Sequence, residues 1–354
     1  MGDDFNKPFP EEYQNVYEKM KKYLVYIIKP NNKFPAFGDT YLSEYKLSYS
    51  KKYEDEELLY VDSNGFKGKK PSQVDAIYPK SGYAILRESW SKGEGFKKQT
   101  QFSFINTNQS KVHKHSDYLS FELYSNEENM IVDPGHIGYQ KDSISAYLKS
   151  TTAHNTLTVD MTDFDYREVP LDSSASIDTY KIDKNYSMVK GHFKPNDSLS
   201  FTRNILYIKP NAIVLIDEVN FLYKNDTPKK FYQIFNLGED AQKLSSFSKN
   251  HLEATFNKNS LHFFQKTSIN DVVINKGETS LRGIVANGPL KYRKGNQVIF
   301  EKNIDQNKSR FITLLYIEND YHNNIKKEDV TIIENKDNIN IKWKSLLKEF
   351  QLKL

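Results

Sequence analysis

The first clear hydrophobic period lies in "PEEYQNVYEKMKKYLVYIIKP", residues 10–30. Val16, Met20, Leu24 and Ile27 or Ile28 recur at three- to four-residue spacing, which predicts one helix with an apolar face and a charged face. Pro10, Glu11 and Glu12 suit its start, and Pro30 suits its stop. The turn-rich "NNKFPAFGDT" follows, and a second helical segment is expected near 53–62. One or two helices cannot bury an apolar face by themselves, so this segment must pack on something else.

From about residue 80 the period changes to two, the signature of strands. "SGYAILRESW" opens the pattern. "YLSFELYS" places Leu119, Phe121 and Leu123 on one face and Tyr118, Ser120, Glu122 and Tyr124 on the other. "LSFTRNILYIKPNAIVLIDEV" reads as two strands joined at Lys209-Pro210-Asn211-Ala212. "NTLTVD", "KKFYQIFNL", "RFITLLYIEND" and "DVTIIENKDNINIKW" continue the series. Many strands separated by Asn, Asp, Gly and Lys turns predict a mainly β chain, a large antiparallel β-sandwich preceded by a short helical segment. The expected division is 1–75 for the helical segment and 76–354 for the sandwich.

Composition narrows the class. The chain has 354 residues, 38% hydrophobic and 27% charged, enough for a sizeable core and unlike a disordered protein. Its 50 Lys and Arg are interspersed with 46 Asp and Glu, and the net charge is +4. With no basic block and no nucleic-acid motif, nucleic acid is not an expected partner. No apolar run approaches the ~20 residues of a membrane span. The absence of cysteine excludes disulfides and thiolate metal sites. "MGDDFNKPFPEEY" lacks the basic and apolar regions of a signal peptide, so an export signal is not expected in this chain. The 24 tyrosines and 22 phenylalanines suit strands and sugar sites alike. High Lys, Asn, Ile and Tyr usage points to an AT-rich bacterial genome.

The candidate chemistry lies in the histidines. The chain has eight, and four of them, His113, His115, His136 and His154, fall in "VHKHSDYLSFELYSNEENMIVDPGHIGYQ" and the nearby "TTAHNTLTVD". On an extended strand, residues two apart point the same way, so His113, His115 and Asp117 would share one face. Asp133 ends an apolar run where Pro134 and Gly135 turn the chain, and His154 precedes another strand. Three adjacent strands would then bring His115, Asp133 and His154 to one point. Two imidazoles and a carboxylate suit zinc with an open position, or non-haem iron. The spacing His115, Asp117, His154 also matches the H-x-D…H pattern of iron oxygenases.

Read in order, "VHKHSDYLSFELYS", "MIVDPGHIGY" and "YLKSTTAHNTLTVD" resemble the C-terminal β-sandwich of the heparinase II/III-like polysaccharide lyases. Upstream, "YLVYIIKPNNKFPAFGDT", with its Pro-x-x-Gly-Asp element, is similar to the end of that family's (α/α) toroid. The resemblance implies β-elimination on a uronic-acid polysaccharide. A base takes the C5 proton, the sugar carboxylate is neutralised so that the enolate-like charge is tolerable, and an acid protonates the leaving oxygen. It implies that His113 is the sandwich's catalytic residue, in proton transfer or in holding the substrate, with Tyr139 and Asn155 in the cleft. It implies a structural zinc on His115, Asp133 and His154, with Asp117 accepting from a histidine. It gives His136 no role.

The resemblance leaves the polysaccharide open among heparan sulfate, alginate, hyaluronan and capsules. Members are often periplasmic or secreted. The family's acid/base tyrosine and its Asn or His carboxylate neutraliser come from the toroid. Here no histidine precedes His113, and Tyr41 and Tyr45 lie near the Pro-x-x-Gly-Asp element with nothing to show that they replace that tyrosine. The catalytic set is therefore expected to be incomplete without a separate or upstream toroid domain. The alternative is a non-catalytic module that binds acidic glycans.

Overall fold

A computed structural model describes residues 10–41, 49–171, 173–223, 227–304, 307–322, 326–335, 338–344 and 348–353. The period-two segments form antiparallel sheets in two layers. One layer has eight strands, in spatial order Lys243–Ser248, His251–Thr255, Ser260–Gln265, Lys308–Glu318, Ala212–Phe221, Leu199–Ile208, Tyr186–Asn196 and Ala175–Ile182. The other begins with five strands, Ala76–Tyr78, Tyr83–Arg87, Gln101–Ile105, Ser120–Ser125 and Glu128–Ile131. A bridge from Ile131 to Leu237 continues it into a four-stranded sheet, Asp271–Asn275, Gln297–Asn303, Lys230–Asn236 and Leu157–Val159.

The main core fills the space between the layers, with Phe104, Phe121, Phe235, Phe263 and Phe300 among its members. Aromatic and β-branched residues at alternate positions fit such a pleated, buried face. The two strands expected from "LSFTRNILYIKPNAIVLIDEV" pair as a hairpin, Ile208 opposite Ala212. Their outer face is covered as well. Leu206, Val214 and Ile216 meet Ile339, Ile341 and Trp343 of a C-terminal three-stranded sheet. Burial on both faces explains why "AIVLI" is a continuous apolar run rather than an alternating one.

The helical segment holds Glu11–Ile27, Tyr49–Tyr53 and Glu56–Asp62. The Asp55 carboxylate caps the last of these by accepting from the Glu57 and Leu58 amides. The long helix forms as its periodicity predicts, but its apolar stripe is buried only in the last turn, at Val25, Tyr26 and Ile27. Val16 and Met20 are 54% and 58% exposed. Only the C-terminal end of the helix reaches the five-stranded sheet, where it packs with Ile85, Trp90 and Phe96. Ile85 points to the helices while its neighbours Ala84 and Leu86 point into the main core.

Buried charges fasten the two parts together. Lys29 Nζ donates to Glu122 Oε2 at 2.7 Å and to Asn129 Oδ1 at 3.0 Å. Glu122 Oε1 accepts from the amides of Ala36 at 2.7 Å and Asp133 at 3.3 Å. Glu122 thus ties the loop after the long helix to the segment that follows strand Glu128–Ile131. Burial pushes its carboxyl pKa up, against the pull of Lys29. This also explains a departure from the expected alternation. The strand begins at Ser120, and all six of its residues are buried, because Glu122 faces the helical segment rather than water.

A second buried charge spans the core. Arg203 makes a two-pronged contact with Asp217, Nε to Oδ1 at 2.7 Å and Nη2 to Oδ2 at 2.8 Å. Its Nη1 donates to the carbonyls of Leu119 at 2.5 Å and Asn155 at 2.8 Å. Removing one partner from such a pair leaves a charge buried without compensation. Asp217→Ala is expected to lower unfolding free energy by about 3–5 kcal/mol, measured by urea denaturation. A loss under about 1 kcal/mol would show the pair to be replaceable.

Candidate functional site

The histidines gather where several loops leave the strands. Residues 113–117 are not extended as the alternation suggested. His113 has φ +56° and Leu119 has φ +58°, left-handed values that turn the chain twice before the strand starts. His113, His115 and Asp117 therefore do not share one face. The His113 side chain is 69% exposed, whereas those of His115 and Asp117 are fully buried.

The hub of the site is Asp39, the last residue of the Pro-x-x-Gly-Asp element. Its Oδ2 accepts from the Tyr139 hydroxyl at 2.9 Å and lies 2.9 Å from His113 Nδ1. His113 Nδ1 and the Tyr139 hydroxyl are themselves 3.1 Å apart. Its Oδ1 lies 3.1 Å from His115 Nε2 and 3.3 Å from His136 Nδ1. The glycine before it is required by space and by conformation. Gly38 has φ +57°, and a Cβ there would sit 2.6 Å from the His113 carbonyl oxygen. Burial opposes ionisation of Asp39, but the hydrogen bonds from His115, His113 and Tyr139 outweigh it and hold the carboxyl well below the usual range. Reciprocally, the bond to Asp39 raises the Tyr139 phenol pKa, so the phenol is neutral near pH 7.

Behind this exposed pair lies a dry cluster. The His115 ring is 5.7 Å from His136 and 5.5 Å from His154, centroid to centroid. His154 Nδ1 pairs with Asp133 Oδ2 at 2.8 Å, and Asp133 Oδ1 accepts from the Gly135 amide at 3.1 Å. Burial lowers the pKa of His115 and of His136. For His154 burial works the same way, but the Asp133 carboxylate outweighs it and raises the pKa. Three buried ring nitrogens have no hydrogen-bond partner among the described residues: His115 Nδ1, His136 Nε2 and His154 Nε2. Asp39, His115 and His136 offer ligand atoms that lie within 4.8 Å of one another.

Two expected site residues do other work. Asp117 does not accept from a histidine; its carboxylate pairs with Lys114, which holds its pKa low against the effect of burial. Asn155 lines no cleft. It is fully buried, its amide nitrogen donates to the carbonyls of Phe121 at 2.7 Å and Val132 at 2.8 Å, and its oxygen accepts from the Asn236 amide at 2.6 Å. Every polar group of that side chain is committed to the backbone of neighbouring strands and of Val132. Tyr139, by contrast, is 63% exposed, as a cleft residue must be. Tyr41 lies with its ring 5.1 Å from His136, and Tyr45 is outside the described residues. Sequence reasoning missed Asp39 and His136. The quoted Pro-x-x-Gly-Asp element held the signal for Asp39, but nothing in its spacing reveals that it folds back 74 residues from His113.

Comparison with known proteins agrees with this architecture. The heparin-sulfate lyase of Pedobacter heparinus is 21% identical over 347 residues, covering 95% of this chain and 49% of that protein. The heparin-sulfate lyase of Bacteroides stercoris is 23% identical over 226 residues, 61% of this chain and 32% of that protein. The crystal structure of the heparan sulfate lyase from Pedobacter heparinus superimposes with a TM-score of 0.79 at 19% identity, over 98% of this chain and 54% of that one. A heparinase III crystal structure gives 0.75 at 18% identity, over 98% and 55%. The chain thus spans about half the length of the Pedobacter relative. The family model "Heparinase II/III-like, C-terminal" matches residues 71–309, from just before the first sandwich strand through the histidine site and most of both layers, and the chain belongs to that family.

Proposed function

We propose that this chain supplies the sandwich half of a polysaccharide lyase that cleaves a uronic-acid polysaccharide by β-elimination. The exposed His113–Asp39–Tyr139 cluster carries the reading. In the reaction a base takes the C5 proton, the C5–H electron pair forms the C4–C5 double bond, the C4–O pair leaves with the oxygen, and that oxygen takes a proton. The exposed Tyr139 phenol, oriented by its hydrogen bond to Asp39, is placed to donate that proton or to hydrogen-bond the sugar. His113 is placed to exchange a proton with it or to hold the substrate. Neutralisation of the sugar carboxylate falls to a toroid domain. The exposed stripe Tyr13, Val16, Tyr17 and Met20 on the long helix is the face on which such a domain would pack.

The test follows ultraviolet absorbance of the unsaturated uronate. The purified chain, alone and joined to the other half of the Pedobacter heparinus relative, is given a panel of uronic-acid polysaccharides. Wherever a rate appears, His113→Ala and Tyr139→Phe are each expected to lower it by ~10²–10⁴-fold, the usual worth of a positioned acid or base. Full rates in both variants would remove the cluster from the chemistry. Saturable binding without product in either form would make the chain an acidic-glycan-binding module.

We also propose that His115, Asp133 and His154 hold a structural zinc ion. Orphaned nitrogens on two buried imidazoles, His115 Nδ1 and His154 Nε2, support the reading; Asp133 pairs with the other nitrogen of His154, so its carboxylate would have to turn from that ring to share an ion with them. The ion would tie together the loops under the exposed pair. The rival set, Asp39, His115 and His136, shares only His115 with it. Metal analysis of the purified protein separates them. His154→Ala is expected to lose the zinc and lower Tm, while His136→Ala keeps it. The opposite pattern would move the ion to the rival set, and normal zinc content in His115→Ala would exclude both.

A further inference from the structure

An open pocket of about 630 Å³ adjoins the cluster, with Tyr139 on its border and the rest of its lining outside the cluster. One wall is the short helix Ser143–Lys149, and the opposite wall includes Asp163 and Arg167. The walls are stitched together. The Lys149 carbonyl accepts from the Ser116 amide at 2.9 Å, Ser116 Oγ accepts from the Tyr166 amide at 3.2 Å, and Asp163 accepts from the Thr151 amide at 2.8 Å.

The acids facing the pocket are already committed. Asp142 holds the Ser145 amide at 2.7 Å, Asp163 holds Thr151, and Asp165 takes both prongs of Arg167. The ammonium groups are not. Lys141 and Lys149 have no carboxylate partner among the described residues, and Lys149 Nζ instead lies 5.0 Å from the centre of the Tyr139 ring. A further observation points to a ligand. Ser145 lines the pocket, is 4% exposed, and its hydroxyl has no hydrogen-bond partner among the described residues. Ser145 and Lys149 are four apart on one helix, so a donor hydroxyl and a cation lie on the same face. A buried hydroxyl without a partner is costly unless something binds it.

We infer that Ser145 and Lys149, with Lys141 at the rim, bind an oxyanion of the sugar next to the one held at His113 and Tyr139. The group is a carboxylate or a sulfate, since both present acceptor oxygens to an ammonium and a hydroxyl. The inference rests on the glycan reading above and deepens it by naming the residues that favour a charged neighbour.

Calorimetric titration with sulfated uronic-acid oligosaccharides, their desulfated forms and their carboxyl-reduced forms tests it on the full chain. Lys149→Met is expected to weaken binding of the charged oligosaccharide about tenfold, and Ser145→Ala a few-fold, with Lys149→Arg restoring most of the loss. A loss confined to sulfated ligands identifies sulfate, and a loss that vanishes on carboxyl reduction identifies a carboxylate. Unchanged affinity in both Lys149→Met and Ser145→Ala, with the wild-type chain binding well, would overturn this inference alone. A wild-type chain that binds none of the ligands would overturn the glycan reading and this inference with it.

Discussion

The rest of the structure depends on how one buried guanidinium is satisfied. Arg203 sits in a core of phenylalanines, where an unpaired charge could not remain. Asp217 neutralises it, and the carboxylate is in turn held by Gln233 at 2.6 Å, whose oxygen accepts from Gln265 at 2.8 Å and Thr313 at 2.9 Å. Gln233 belongs to the four-stranded sheet and the others to the eight-stranded sheet, so a polar thread crosses between the layers. The remaining nitrogen of Arg203 takes the carbonyls of Leu119 and Asn155, which follow the loops carrying His115 and His154. The positions of two site loops are therefore set from inside the core, by groups that never meet a ligand.

Asp39 does for the surface what Arg203 does for the interior. One of its oxygens serves the wet pair, His113 and Tyr139, and the other serves the dry pair, His115 and His136. A carboxylate with four such neighbours stays ionised over the whole neutral range. It forms the boundary between a region open to solvent and one closed to it. A change in charge on either side is felt by the other through a single side chain.

Much of the fold was legible because its signals are local. Period-two runs marked the strands, Lys209-Pro210-Asn211 marked a turn, and Glu11 and Pro30 bracketed the long helix. The errors have physical causes. The segment His113–Asp117 looked extended because histidine and lysine alternate there, but a left-handed His113 breaks the strand, and composition does not announce a positive φ outside glycine. Asn155 seemed a cleft residue because it adjoins His154; its hydrogen bonds to Phe121, Val132 and Asn236 depend on contacts distant in sequence. The stripe of Val16 and Met20 reads as apolar and in need of a partner, yet both residues are exposed here, since periodicity reports which face needs a partner and not whether the partner is at hand.

The placement of Asp39 also bears on where this protein can be cut. By strand pattern the sandwich starts at Ala76, and the residues before it look like a detachable appendage. Removing them would take away the carboxylate shared by three histidines and a tyrosine. It would leave Glu122 buried without Lys29, and would strip Arg87 of the Ile28 carbonyl that it holds at 2.7 Å. As a unit for engineering or domain exchange, the sandwich therefore begins no later than the last turn of the long helix. The secondary-structure boundary and the unit that holds the site do not coincide, and recombination at residue 75 would separate a site from its own floor.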